Sequence, residues 1–261
     1  MNSIKGFNPS RFFLLIRNQL FLDRSIFYFL ISAGAILILF SIFEIMSKVH
    51  GMTYQPYYRF FLFIGGISLT GRIFKGLHDE VKGSAWLTLP ASIFEKFMSR
   101  LILLTVIYPL ALMAVIFLIS LISAGLHVAL IGSSHGIFNP FDKSVLLGTA
   151  GYIVLQSPFF LGAIYFKKNP LAQTILAIAG YSILLVLIAH VFSMIIYPQN
   201  PGNFNYVPNM GEMIMWITGI ITHDYRPSYS IIYWVQLIFF WCVIAPACWV
   251  TGYFRLKEKE L

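Results

Sequence analysis

Runs of apolar residues long enough to cross a bilayer constrain this chain more than any motif in it. They fall at about Ser25–Met46, Leu101–Ala124, Val145–Phe166, Leu171–Tyr197 and Tyr229–Phe254, with a shorter run at Arg59–Arg72 that the alternating plan makes the second span. A spanning helix needs about 20 residues, and backbone in lipid has to satisfy its own hydrogen bonds, which leaves the α-helix as the available element. The chain is 58% hydrophobic and 11% charged, where soluble domains carry about 25% charged residues. We therefore expect an all-α membrane protein with six transmembrane helices, a single transmembrane domain over residues 1–261. The shorter run carries Gly65-Gly66, which serves tight packing or a hinge. The first run follows a basic segment and exceeds the roughly 7–15 residues of a signal-peptide core, so it is expected to stay as a span.

Charge placement orients these spans. Of the 18 Lys and Arg residues, only Lys48, Arg59, Lys143 and Arg226 fall on one side of the alternating plan, and all others fall on the opposite side. Basic loops stay inside, so both termini and the Arg72–Arg100 loop are expected in the cytoplasm, with the chain in the cell inner (cytoplasmic) membrane. The basic residues border apolar spans and form no stripe with interleaved aromatics, so nucleic acid is not an expected partner and membrane lipids are. Tyr57, Tyr58, Tyr229, Tyr233, Trp234 and Trp249 read as interfacial belts. Cys242 and Cys248 are six apart on different helix faces and suit neither a disulfide nor a metal pair.

Arg72–Arg100 is the long polar interruption between two apolar runs. Within it Phe74, Leu77, Val81, Ala85, Trp86, Leu87 and Leu89 recur near the helical period, with Lys75, His78, Asp79, Glu80 and Lys82 on the remainder. Pro90 disfavours helix at Leu89, and Ser92 with Glu95 three residues later is a capping box that opens a new helix. The spacing predicts a short amphipathic helix lying crosswise before the third span, although a solvated linker fits the same residues. Residues 1–24 are similar in kind: Phe12, Phe13, Leu15, Ile16, Leu20 and Phe21 alternate with polar residues as in an interfacial helix.

Gly71-Arg72-Ile73-Phe74, then Glu80, Gly83-Ser84, Leu87-Thr88-Leu89-Pro90-Ala91-Ser92 and Glu95-Lys96 resemble the permeases of ABC-2-type ABC exporters. In that family the loop between spans 2 and 3 holds a coupling helix that docks on an ATPase subunit. The resemblance implies an elbow helix in residues 1–24, a coupling loop at 72–100, and ATPase-coupling roles for Phe74, Leu77, Glu80, Gly83, Trp86 and Pro90. One departure is the Glu-to-Gly interval, a residue shorter than the common pattern; another is His78-Asp79 in place of a more usual acidic or polar pair. The resemblance also implies a second permease copy or homologue meeting through spans 1 and 5, where Ser32–Ala35 faces Ala172, Ala179 and Gly180. Its last implication is a re-entrant helix in the outer loop 197–228. Asn209–Ile221 fits that part, with Asn209 and Glu212 as a capping pair and a length of roughly 20 Å against a core of about 30 Å.

No GxxxxGK[ST] phosphate loop occurs, so ATP and Mg are expected on a partner ABC ATPase subunit, with no cofactor and no catalytic or metal residue in this chain. Glu44, His190 and Glu212 are the candidates for lining the outer end of a path, and for the first two a hydrogen bond to a neighbouring helix or headgroup is the plainer role. Glu44, Gln156 and His190 are too dispersed for an intramembrane enzyme. The expected function is the permease subunit of an ATP-driven exporter of a lipid-like, peptide or glycan substrate. The alternative is a non-transporting membrane scaffold or sensor component.

Overall fold

The computed structural model describes residues 8–22, 24–47, 53–74, 91–132, 136–196 and 239–258, which are helical apart from short connections, with no strand among them. Helix α1, Pro9–Leu22, starts where Asn8 Oδ1 accepts the Ser10 N–H (3.0 Å) and Pro9 takes the first helical position. Helix α2 covers Ser25–Ser47 and α3 covers Tyr54–Ile73. After the capping box come α4, Ile93–Ile102, a π turn over Leu103–Ile107, and α5, Tyr108–Ile131. Gly132, in the left-handed region at φ 74°, stops α5. Asp142 caps α6, Lys143–Tyr165, by accepting the Ser144 N–H at 2.8 Å. A tight turn through Asn169 leads to α7, Pro170–Ile196; a second π turn, Phe239–Val243, leads to α8, Ile244–Glu258.

Among the described residues three stretches are long and apolar enough to cross a membrane: Ser25–Glu44, Ile93–Leu130 and Lys143–Tyr165. Their outer faces keep large apolar side chains exposed, among them Ile31, Leu39, Phe43, Leu118 and Leu146. This surface suits lipid and marks a membrane protein. Ile93–Leu130 is 38 residues, about 57 Å of helix against a hydrocarbon core of about 30 Å, so its amphipathic first turns, α4, lie outside that core.

Helix α6 is the spine of the bundle, packed against α3, α7 and α8. Close approach depends on small residues. At Gly66 the Tyr152 ring fills the space a side chain would need, and at Gly65 Phe29 and the Tyr108 hydroxyl do the same. The glycine pair thus serves packing. Prolines inside helices orphan carbonyls, and hydroxyls recover them. Pro158 cannot donate to Val154 O, which accepts from Ser157 Oγ at 2.7 Å. Ahead of Pro109 the π turn sends the Tyr108 N–H to Leu103 O, and Leu104 O takes the Tyr152 hydroxyl at 3.1 Å.

Several sequence expectations need correction. The helix expected from Arg59 begins at Tyr54, because apolar and aromatic positions continue back to Thr53. Tyr58 is no interfacial residue: it is fully buried and its hydroxyl lies 2.8 Å from that of Thr149. The helix expected to end at Ala124 runs on to Ile131, since Gly125 is accommodated and Gly132 supplies the stop. Ala33 and Gly34, expected to face a second copy, are buried within the chain; a Cβ at Gly34 would lie 3.5 Å from Ile119 Cδ1 and 3.6 Å from Val115 Cγ1 of α5. The re-entrant segment and most of the coupling segment lie outside the described residues.

Candidate functional site

The residues on either side of the 75–90 segment, Phe74 and the start of α4, belong to one packed cluster. Phe74 follows α3 directly, and its N–H bonds Arg72 O as the helix closes. Its side chain is fully buried, edge-on to Phe160 of α6 at 5.1 Å between centroids, with the Arg100 guanidinium of α4 at 4.6 Å over its face. Such a cation–aromatic contact strengthens when desolvated, and Arg100 is itself buried. Phe97 continues the stack, edge-on to Phe160 at 5.4 Å and to Tyr253 of α8 at 5.8 Å, while Phe94 reaches Tyr253 at 6.2 Å. Edge-to-face contacts fix ring orientation as well as position. Phe74, at the end of α3, therefore meets α4 and α6 directly, and Phe97 and Phe94 extend the same stack to α8.

At the segment's far end Glu95 organises the return. The Ser92 N–H donates to Glu95 Oε2 at 2.9 Å and the Glu95 N–H donates to Ser92 Oγ at 3.2 Å, completing the capping box. The other carboxylate oxygen reaches across the chain. Glu95 Oε1 accepts the Asn8 N–H at 2.8 Å and lies 3.8 Å from Arg11 Nη2, so the start of α1 is tied to the start of α4. Further along the same pair of helices Gln19 Nε2 donates to Ser99 Oγ at 3.1 Å. Burial alone pushes the Glu95 carboxyl up, but the Asn8 and Ser92 N–H groups and the Arg11 charge outweigh it and hold the group below its ordinary value. Lys96, also buried, adds a second cation beside Arg100.

Of the residues expected to couple to an ATPase, the structure places Phe74 in this inward cluster. Leu77, Glu80, Gly83, Trp86 and Pro90 lie outside the described residues, as does Glu212. His190 sits on α7, with its side chain outside the description. Glu44 is buried near the end of α2, where the Ser41 and Tyr54 hydroxyls lie 3.4 Å apart. Gly34 sits level with Val115 and Ile119 on the parallel α5, so ten residues on Glu44 comes level with His127. His127 is buried, with Nδ1 3.0 Å from Ser123 O. Sequence reading missed it, because one His in an apolar run carries no spacing signal. No cluster of three or more His, Cys, Asp or Glu residues suited to a metal occurs among the described residues. The arrangement fixes Phe74 and the start of α4 against α6 and α8.

Comparison with known protein families, curated proteins and solved structures finds no match to this chain.

Proposed function

We propose that this chain is the membrane subunit of an ABC-2-type exporter, driven by a separate ATPase that docks on residues 75–90. The observation that supports this reading best is the buried seat formed by the residues on either side of that segment. Phe74 at one end and Ser92–Glu95 at the other are packed into the junction of α3, α4, α6 and α8, with α1 tied on through Glu95. A solvated linker has no need of such anchorage, whereas a force-bearing segment needs both ends fixed to the elements it moves. On this reading the plan is six spans, with both termini and the segment in the cytoplasm, two permease copies or a homologous pair, and ATP with Mg held by the partner. The cargo class stays broad, a lipid-like molecule, a peptide or a glycan. A photo-crosslinking residue in place of Leu77 or Trp86 should capture an ATPase bearing a phosphate loop, and Glu80→Lys should lower the ATPase stimulation while leaving membrane insertion intact. Capture of no ATPase from either position in cells would refute the docking and favour a non-transporting scaffold.

A further inference from the structure

Two hollows line up along α7. The first, about 360 Å³, lies between the end of α3 and the α6–α7 turn and is lined by Gly71, Arg72, Lys167, Asn169 and Leu171 among others, with no acidic residue among the described residues of its lining. Arg72 and Lys167 are exposed, and Lys167 sits two residues past the end of the membrane-crossing stretch Lys143–Tyr165. With that stretch across the bilayer, this position falls at the boundary between hydrocarbon and headgroups. The second hollow, about 320 Å³, is a nearly apolar groove between Phe159 of α6 and Ile175, Ile178, Ala179, Ser182 and Ile183 of α7. At 3.6 residues per turn Leu171, Ile175, Ile178 and Ser182 fall on one stripe, with Ala179 and Ile183 beside it, so the groove continues the line of the first hollow. Leu171 to Ile183 rises about 18 Å, a little over half of a hydrocarbon core of about 30 Å. The α7 surface nearby is open, for a Cβ at Gly180 would meet nothing within 4 Å.

We propose that this groove is a binding site for an anionic phospholipid of the adjoining leaflet, its phosphate between Arg72 and Lys167 and one acyl chain along the Ile175–Ile183 stripe. Basic pockets between helices at the membrane surface suit anionic headgroups, and the apolar length matches one leaflet. A second protein copy would explain the apolar stripe but not two cations at its boundary end. The inference requires membrane placement only and is independent of any ATPase.

The test uses the full-length chain in mild detergent, titrated with short-chain phosphatidylglycerol, phosphatidylcholine and inorganic phosphate and read by native mass spectrometry. Phosphatidylglycerol should be retained over phosphatidylcholine. Arg72→Gln with Lys167→Gln should weaken its binding about 20- to 30-fold, the combined worth of two surface cations. Ala179→Trp, which fills the groove and leaves both charges, should weaken it as well, and phosphate should not compete. Lys167→Gln alone, at an exposed turn, secures the comparison should the double variant not fold. Wild-type affinity in the folded variants would overturn the site. Competition by phosphate would make it a free-anion site, and an Ala179→Trp variant that splits a dimer while keeping its lipid would assign the stripe to a second copy.

Discussion

Replacing Glu95 probes the seat at its most connected atom pair. The carboxylate accepts two backbone N–H groups, from Asn8 at 2.8 Å and Ser92 at 2.9 Å, and pairs with Arg11 at 3.8 Å. Hydrogen bonds to a charged acceptor contribute about 1.5–3 kcal/mol each. Two discounts apply: Asn8 is exposed, so water can replace its partner, and burying the carboxylate itself costs free energy. Glu95→Ala should therefore lower stability by about 2–3 kcal/mol. Glu95→Gln keeps an acceptor oxygen and capping capacity and should lose about half of that. Arg11→Ala should lose less than about 1 kcal/mol, because its side chain is 30% exposed and the pair is long. The local readout is amide exchange in the first turns of α1, where a 2 kcal/mol loss means roughly 30-fold less protection. Because the carboxyl is held below its ordinary value, the contribution is complete above the unfolded carboxylate pKa of about 4.3 and is lost as pH falls through the lower folded value. Alanine and wild type with equal melting and equal α1 protection would refute the reasoning, as would Arg11→Ala matching Glu95→Ala.

Gly66→Ala forces a methyl into the Tyr152 ring and should cost about 1–3 kcal/mol or more in a melt, whereas Gly180→Ala, with open space around it, should leave melting unchanged. Tyr152→Phe removes the donor to Leu104 O and should cost about 1–2 kcal/mol. Pro109→Ala restores an N–H to that turn, so the double variant should lose less than the two single changes added; strict additivity would show the carbonyl and proline to be unrelated. Single cysteines at Asn205 and Tyr225, in a background lacking Cys242 and Cys248, should both label from outside cells with an impermeant thiol reagent. Labelling of only one would mean that the chain crosses the membrane between them and would break the six-span plan.

Local signals carried well from sequence to structure where the partners are near in the chain. Ser92 with Glu95 is a capping box at the expected residues, and Asn8-Pro9-Ser10 opens a helix. Lys167-Lys168-Asn169-Pro170, too short between two apolar runs for anything but a tight connector, is such a turn, with Asn169 taking φ 45°. Long-range partners were not legible. Nothing around Glu95 announces that its second oxygen will meet Asn8, 87 residues away, because both halves of that bond are polar groups common at helix starts. Phe74 illustrates the complementary failure. Its spacing with Leu77 and Val81 suggested a surface stripe, but it stands one residue past α3 and the ring turns inward to Phe160 and Arg100.

The choice of which helix faces turn inward follows from packing in lipid. There apolarity cannot distinguish the inside of the bundle from the outside, because hydrocarbon surrounds both, and small residues and hydroxyls decide instead. Helix α6 shows this along its length. Gly148 and Gly162 admit Arg59 of α3 and Thr174 of α7, Gly252 of α8 admits Ile164, and Tyr152 fills the notch at Gly66. On the same buried side Gln156 Nε2 donates to Thr70 Oγ1 at 3.1 Å, and Thr70 Oγ1 donates to Gly66 O at 2.6 Å. The Gln156 amide N–H and the Thr70 hydroxyl are thus each matched to a hydroxyl or carbonyl on α3. A rotation of α6 by even one residue, about 100°, would break these pairs together and press side chains into the glycine notches. The spine is thereby fixed in angle as well as position. Since Phe160 of this same helix receives the Phe74 ring, the coupling proposed above would act on a helix held against rotation, and a displacement of Phe74 would pass on as a rigid tilt of α6 with its packed neighbours α3, α7 and α8.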